Sequence, residues 1–456
     1  MLAGLYAYRK QLLEEGASHR ADAMQLAERY TKAAEQLGHE QAAVRLAGVY
    51  AMARLADDWE EQRRVCVNVL CAYLRMPYET DTGAEGYMKG EREVRLTIIR
   101  TIRDHLQDPT AATTWCGYDL DFTGAVFDGG DFAGVRIIGG KVDFRGAVFS
   151  SGTVNFNYAV FSGGTVDFRL ATFSSGTVNF NYAVFSGGTV DFRLATFSSG
   201  IVNFSIARFS GGRVDFGLAT FSGGTVGFNR ARFSGGMVGF GDAEFTGGTV
   251  GFSGATFAGG PVHFNRARFS GGMVGFGGAE FTGGTVGFSG ATFAGGTVDF
   301  GIVAFSGGTV GFGGAEFSGG TVDFSGGTLS GGTVDFVDAE FTDGTVDFSG
   351  GTLSGGTVDF GGATFAGGTV DFGIVAFSGS AVGFGGAEFT GGTVIFDTAV
   401  FSGGTVDFRD TVFSDGTVDF RGAELTGSTI GFDNAIIRAT CTIVWGTLPE
   451  IPVTQF

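Results

Sequence analysis

Residues 151–174 read SGTVNFNYAVFSGGTVDFRLATFS, and the same 24 letters return unchanged at 175–198. Inside them Phe156, Phe161, Phe168 and Phe173 are separated alternately by 5 and 7 residues. Val154 and Val166 stand two residues before the first and third of these; Ala159 and Ala171 stand two before the others. A small or branched apolar residue, any residue, then Phe is the period-two alternation of a strand whose Val and Phe face inward and whose middle residue faces outward. Working outward, Phe fills all 25 positions from Phe144 to Phe432 taken in steps of 12. The column that starts at Phe149 holds 21 Phe, with Leu329, Leu353, Leu425 and Ile437 as the exceptions. The turns before each unit vary, Ser162-Gly163-Gly164 in one and Ser174-Ser175-Gly176 in the next, but stay small.

Just ahead of the array, Phe122, Phe127, Phe132 and Ile137 stand five apart, with Leu120, Ala125, Gly130 and Val135 two residues before each. Over about residues 118–444 this resembles the pentapeptide-repeat family. The resemblance implies a mainly β fold, a right-handed quadrilateral β-helix in which four short sides make one coil. The departure is the alternating 5 and 7 spacing after Ile137, whose two extra residues sit in Gly-rich corners such as Gly163-Gly164. A coil is then expected to take the whole length of the duplicated block quoted above, two units of twelve. One coil per 12 residues would have a perimeter of only about 40 Å, too narrow for two Phe, a Val and an Ala at each level. Each coil leaves its rings half-covered, so only stacking closes the core.

Composition divides the chain. Of its 456 residues 84 are Gly and 50 are Phe, and every Phe lies after residue 112. The expected organisation is an α-helical domain over 1–112, a solenoid over 113–445 and a C-terminal cap or tail over 446–456. Trp115 and Trp445 flank the array, and residues 448–456 could cover its last coil, as the front helices would cover the first. Residues 1–112 hold 15 Lys/Arg against 17 Asp/Glu, and residues 113–456 hold 14 against 30. Such a balance argues against direct nucleic-acid binding, which needs basic patches. Four cysteines make neither a disulfide framework nor a metal knuckle, and Cys66 and Cys71 read as core thiols.

In the front region the pattern predicts helices over 18–37, with Ser18 as N-cap, over 40–56, over a third segment capped by Asp57 or Asp58 and stopped by Met76-Pro77, and over 91–106. Its Arg/Glu mixture reads as a solvated face. Residues 42–75, with Val44-Arg45-Leu46-Ala47-Gly48-Val49-Tyr50, resemble the region preceding the repeats in bacterial membrane-associated pentapeptide-repeat proteins. There a transmembrane segment comes first. The resemblance implies a cytoplasmic protein, peripheral to the inner face of a membrane if such a segment precedes Met1.

Catalytic, cofactor-binding and metal-ligating residues are not expected. The single array histidine, His263, falls at an outward position, and Gly140-Lys141 lacks the rest of a phosphate loop. What stands out is charge. With one duplicated block per coil, Asp143, Asp167, Asp191 and Asp215 stack beside Arg145, Arg169 and Arg193, with Asn155, Asn179 and Asn203 opposite. Farther on, Asp299, Asp323, Asp347 and Asp371 stack, then Asp419 after Ile395, with Asp335, Asp359 and Asp407 opposite. Residues 299–433 hold 18 acidic residues and only Arg409 and Arg421 as bases. These eight Asp form the candidate acidic interaction surface. The expected function is a noncatalytic rod that scaffolds protein–protein interaction with a partner the sequence does not name. The alternative, from the same family resemblance, is a DNA mimic that occupies a type II topoisomerase such as gyrase.

Overall fold

The computed structural model describes residues 2–438 and 440–446, with the side chains of residues 2–9, 12–14 and 16–20 outside that description. Four helices precede the solenoid: α1 (Leu2–Leu37), α2 (Ala42–Asp58), α3 (Arg63–Arg75) and α4 (Glu91–His105). No helix begins at Ser18, because α1 runs straight through that position. Residues 2–37 contain no proline and only the isolated Gly4 and Gly16, so nothing interrupts the backbone ladder. The turn after α1 folds it onto α2 so closely that a Cβ on Gly48 would lie 2.7 Å from the Leu37 nitrogen.

Val49, Met52, Leu55, Cys66, Leu70, Val94, Ile98 and Ile102 form the helical core, while Met24, Tyr50 and Val65 are exposed. Cys66 and Cys71 are buried, as expected, and burial pushes the Cys71 thiol up to about 12. The Arg/Glu mixture is not wholly a solvated face. Arg45, Glu91 and Arg95 are buried together: Arg45 Nη2 lies 3.2 Å from Glu91 Oε2, and the Tyr73 hydroxyl donates to the same oxygen at 2.9 Å. Arg45 also donates to the carbonyls of His39 and Glu40 at 2.8 and 2.6 Å, so this charge locks α2 to α4 and to the preceding turn. Breaking such a buried pair leaves a lone charge, the costly case.

The helices sit on the first coil. Ile99 packs on Gly130, Arg75 reaches Asp121 at 2.7 Å, Arg92 reaches Asp128 at 2.9 Å, and Arg103 pairs with Asp131. The Arg136 N–H, on the first coil, donates to the Leu106 carbonyl just past α4.

From Leu120 to Val444 the chain is a parallel β-solenoid of about 14 turns. Phe161 pairs with Phe185 and Phe173 with Phe197, so a coil takes two twelve-residue units, as the spacing predicts. The five-residue units at the start make a shorter first step, Val126 to Val148, and the last step, Thr417 to Thr442, is one residue longer. Most coils carry four inward rings. Phe168 stacks on Phe144 with centroids 4.7 Å apart and planes 3° apart, and meets Phe180 across its own coil edge-on at 89°. Parallel rings at the strand spacing and crossed rings within a level are both favoured geometries for the ring quadrupole.

Two kinds of corner close the coil. The short corner, Phe168-Arg169-Leu170-Ala171, is sealed by the Ala171 N–H donating to the Phe168 carbonyl at 3.0 Å, with Leu170 at φ 60°. That is a type II turn, whose third residue takes positive φ. The long corner is Gly-rich because stacking leaves no room: a Cβ on Gly188 would sit 2.7 Å from carbonyl oxygens of the coil below. One stretch of the core is underfilled. Gly327 and Gly351 replace Ala, and Leu329 and Leu353 replace Phe, on adjacent rungs of one side, leaving an apolar cavity of about 20 Å³. At the far end Trp445 continues the Phe420 column at 5.9 Å and abuts Phe432 edge-on. The expected cap over 448–456 lies outside the described residues.

Candidate functional site

The eight Asp stand in the ladders their spacing predicts. Asp299 pairs with Asp323, Asp323 with Asp347 and Asp347 with Asp371; Ile395 then interrupts the column before Asp419. On the opposite sheet Asp335 pairs with Asp359, and Gly383 separates them from Asp407. Sequence reasoning missed what holds these carboxylates. Each turns one oxygen back onto the backbone N–H two residues on, at 2.7 Å for Gly301, Ser325, Ser349 and Gly373, 2.8 Å for Val337 and 2.9 Å for Gly361. Asp407 and Asp419 accept from Arg409 and Arg421 in the same way, both at 3.0 Å. The signal was present in the sequence, since Asx side chains favour this local bond. In the Asp299 column Asn155 and Asn203 make the same bond at 3.0 Å.

Compensation differs along the rod. Arg409 and Arg421 return to Asp407 and Asp419 as ion pairs, and these hydrogen bonds hold both carboxyls below the usual range. Asp299, Asp323, Asp347, Asp371, Asp335 and Asp359 have no basic neighbour within ion-pair distance among the described residues. In the first half every ladder carboxylate has one. Lys141 bridges Asp143 and Asp167 at 2.7 and 3.1 Å, Arg145 and Arg169 bind Asp143 and Asp167, and Arg193 and Arg213 bind Asp191 and Asp215. These outward Asp are therefore buried. Burial pushes the Asp167 carboxyl up, but hydrogen bonds from Arg169 and Lys141 outweigh it and hold it at about 2. The result is a polarised rod, with 11 basic against 6 acidic residues over 136–279 and 2 against 19 over 280–433.

A second feature escaped the sequence. The left-handed position of the short corners, often Gly, carries Tyr158, Tyr182 and Ile206 on one edge and Leu170, Leu194 and Leu218 on the other, all exposed and at φ between 58° and 61°. Tyr158 and Tyr182 stack at 5.0 Å. The clue was a large apolar residue directly before the inward Ala.

His263 stands outward with Gly239 and Gly287 as its register neighbours, its pKa lowered by burial. Among the described residues no group of His, Cys, Asp and Glu is arranged to hold a metal ion, and no helix is long and apolar enough to cross a membrane. No family model, curated protein or solved structure matches the chain.

Proposed function

We propose that the protein is a noncatalytic scaffold of the pentapeptide-repeat kind, whose acidic half binds a basic surface of a protein partner in the cytoplasm or at the inner face of a membrane. The observation that carries this reading is the uncompensated ladder fixed by its own backbone. Carboxylates on successive rungs stand roughly 4.8 Å apart and repel by about 0.9 kcal/mol per pair in water. A partner's Lys or Arg relieves that repulsion, and because the carboxylates are already oriented, little side-chain entropy is lost on binding.

The test uses the protein's own alternative. In the column of Asp323, Asp347 and Asp371, Asn155 and Asn203 keep the backbone bond, and an Asn amide oxygen can accept the same bond at positions 335 and 359. Changing Asp323, Asp347, Asp371, Asp335 and Asp359 to Asn should therefore leave the circular dichroism unchanged while abolishing capture of the partner from the native cell. Capture that survives neutralisation would overturn the reading.

Charge density favours a second reading, a DNA mimic at a type II topoisomerase. Net −16 over 299–433 is about 0.6 charge per Å at the rung spacing, near the one per ~1.7 Å of duplex DNA. It predicts salt-sensitive inhibition of gyrase supercoiling that the Asn variant loses; no inhibition at low salt leaves the scaffold.

A further inference from the structure

We propose that the rod pairs side by side and antiparallel with a second copy of itself, through the edge that carries Tyr158, Tyr182 and Ile206, about a two-fold axis at the coil of Thr256.

The register fixes the argument. Along this edge Arg232 pairs with Thr256 and Thr256 with Glu280, so an axis through Thr256 sets Arg232 of one copy opposite Glu280 of the other, twice. Both side chains are exposed, and neither makes an ion pair within its own chain among the described residues. Arg208, in register with Arg232, extends the positive end of the strip.

Size is complementary as well as charge. Two residues before this column lies the left-handed corner. The same axis sets Ile206 opposite Ile302, Tyr182 opposite Gly326 and Tyr158 opposite Gly350. A Cβ on Gly350 would meet nothing within 4 Å, and its φ of 65° is close to the 61° of Tyr158. The fold therefore tolerates either residue at either corner. Large side chains in the left-handed region are strained, and β-branched Ile206 most of all. Apart from the Tyr158–Tyr182 stack, little among the described residues covers these side chains: Tyr158 is 62% exposed and Ile302 is 78% exposed. A closed isologous contact accounts for Tyr158 and Tyr182 facing Gly350 and Gly326, with Ile206 meeting Ile302 between them and the axis.

The diagonal edge is a weaker match. The same axis there also sets Glu244 opposite Arg268, but it brings Leu170 against the carboxylate of Asp338, and Asp242 and Arg266 already bond each other at 2.7 Å.

The paired strip from Val160 to Thr352 spans eight rung intervals, roughly 38 Å. Two side chains wide, it would bury about 1,000 Å² in all, the lower bound for a specific assembly, so the expected dimer is micromolar and salt-sensitive.

Sedimentation of the full chain at low salt should show a monomer–dimer equilibrium. Arg232→Glu and Glu280→Arg should each be monomeric, and mixing the two should restore dimers, because the acid introduced at position 232 then faces the base introduced at position 280. Oxidation of the double variant Ile206→Cys, Ile302→Cys should give a disulfide-linked dimer, while Ile206→Cys alone should not, its two copies lying about 19 Å apart. A chain that is monomeric at about 100 µM, a mixture that stays monomeric, or efficient cross-linking of Ile206→Cys by itself would each overturn the proposal.

Discussion

Filling the cavity beside Leu329 and Leu353 should strengthen the rod where this ring column lapses. The perturbation is Gly327→Ala, Leu329→Phe, Gly351→Ala and Leu353→Phe, every change toward the residue that fills the same position in most other coils. The Phe column is unbroken from Phe161 to Phe305, with stacked centroids between 4.6 and 4.9 Å, then lapses for two rungs and resumes at Phe377. Two new rings restore three stacked pairs, at about 0.5–1.5 kcal/mol each. Two buried methyls add about 0.8 kcal/mol each. Against this, a Cβ on Gly327 lies 2.9 Å from the Phe324 carbonyl oxygen and one on Gly351 lies 3.0 Å from that of Phe348, so the walls must move outward. Overpacking of this kind costs about 1–3 kcal/mol. The net expectation is a gain of about 3 kcal/mol, or roughly hundredfold slower local opening. A solenoid opens regionally, so a global melting temperature would dilute the effect. Hydrogen exchange read by mass spectrometry on peptides covering 324–353 is the fitting assay, with peptides over 204–233 as the internal control. Exchange that is unchanged or faster in the filled variant would refute the reasoning, because the lost stacking would then not be what weakens these coils.

Two further outcomes are expected. Phe288→Asp buries a charge among stacked rings and should cost several kcal/mol, read as loss of protease resistance at that coil, whereas Asp323→Ser should cost less than about 1 kcal/mol; equal costs would contradict the inward and outward assignment. Asp143 and Asp167 have folded pKa values below those of the unfolded chain, Asp167 at about 2, so the stability they confer is present above about pH 4 and disappears as pH falls toward 2. Hydrogen exchange over residues 142–170 should therefore speed up across that window, and acceleration beginning near neutral pH would point to a different group.

The rod was legible in the sequence because its code is local and repeated. Val, any residue, Phe at period two fixes which side chains face inward, and an unbroken step of 12 fixes which residues share a column. The ladders of Asp299 and Asp335 follow from that arithmetic alone. Choosing two units per coil over one needed only the space that two Phe, a Val and an Ala require.

What the tertiary structure decided depends on neighbours that the period does not name. Whether an outward Asp is exposed depends on the coil beside it: Asp167 is buried because Lys141 reaches across from the previous turn, while Asp323 has no such cation. In the helical region no repeat exists to average over. Ser18 obeyed the capping rule, but helix propagation carried α1 through it, and Arg45 and Glu91 looked like surface charges until three helices closed around them. The same holds for Tyr158 and Ile206, which the period leaves unassigned and the left-handed corner turns outward. Local pattern sets direction in a strand; burial and pairing are set by what the next coil or helix brings within a few ångströms, and only the folded chain contains that information.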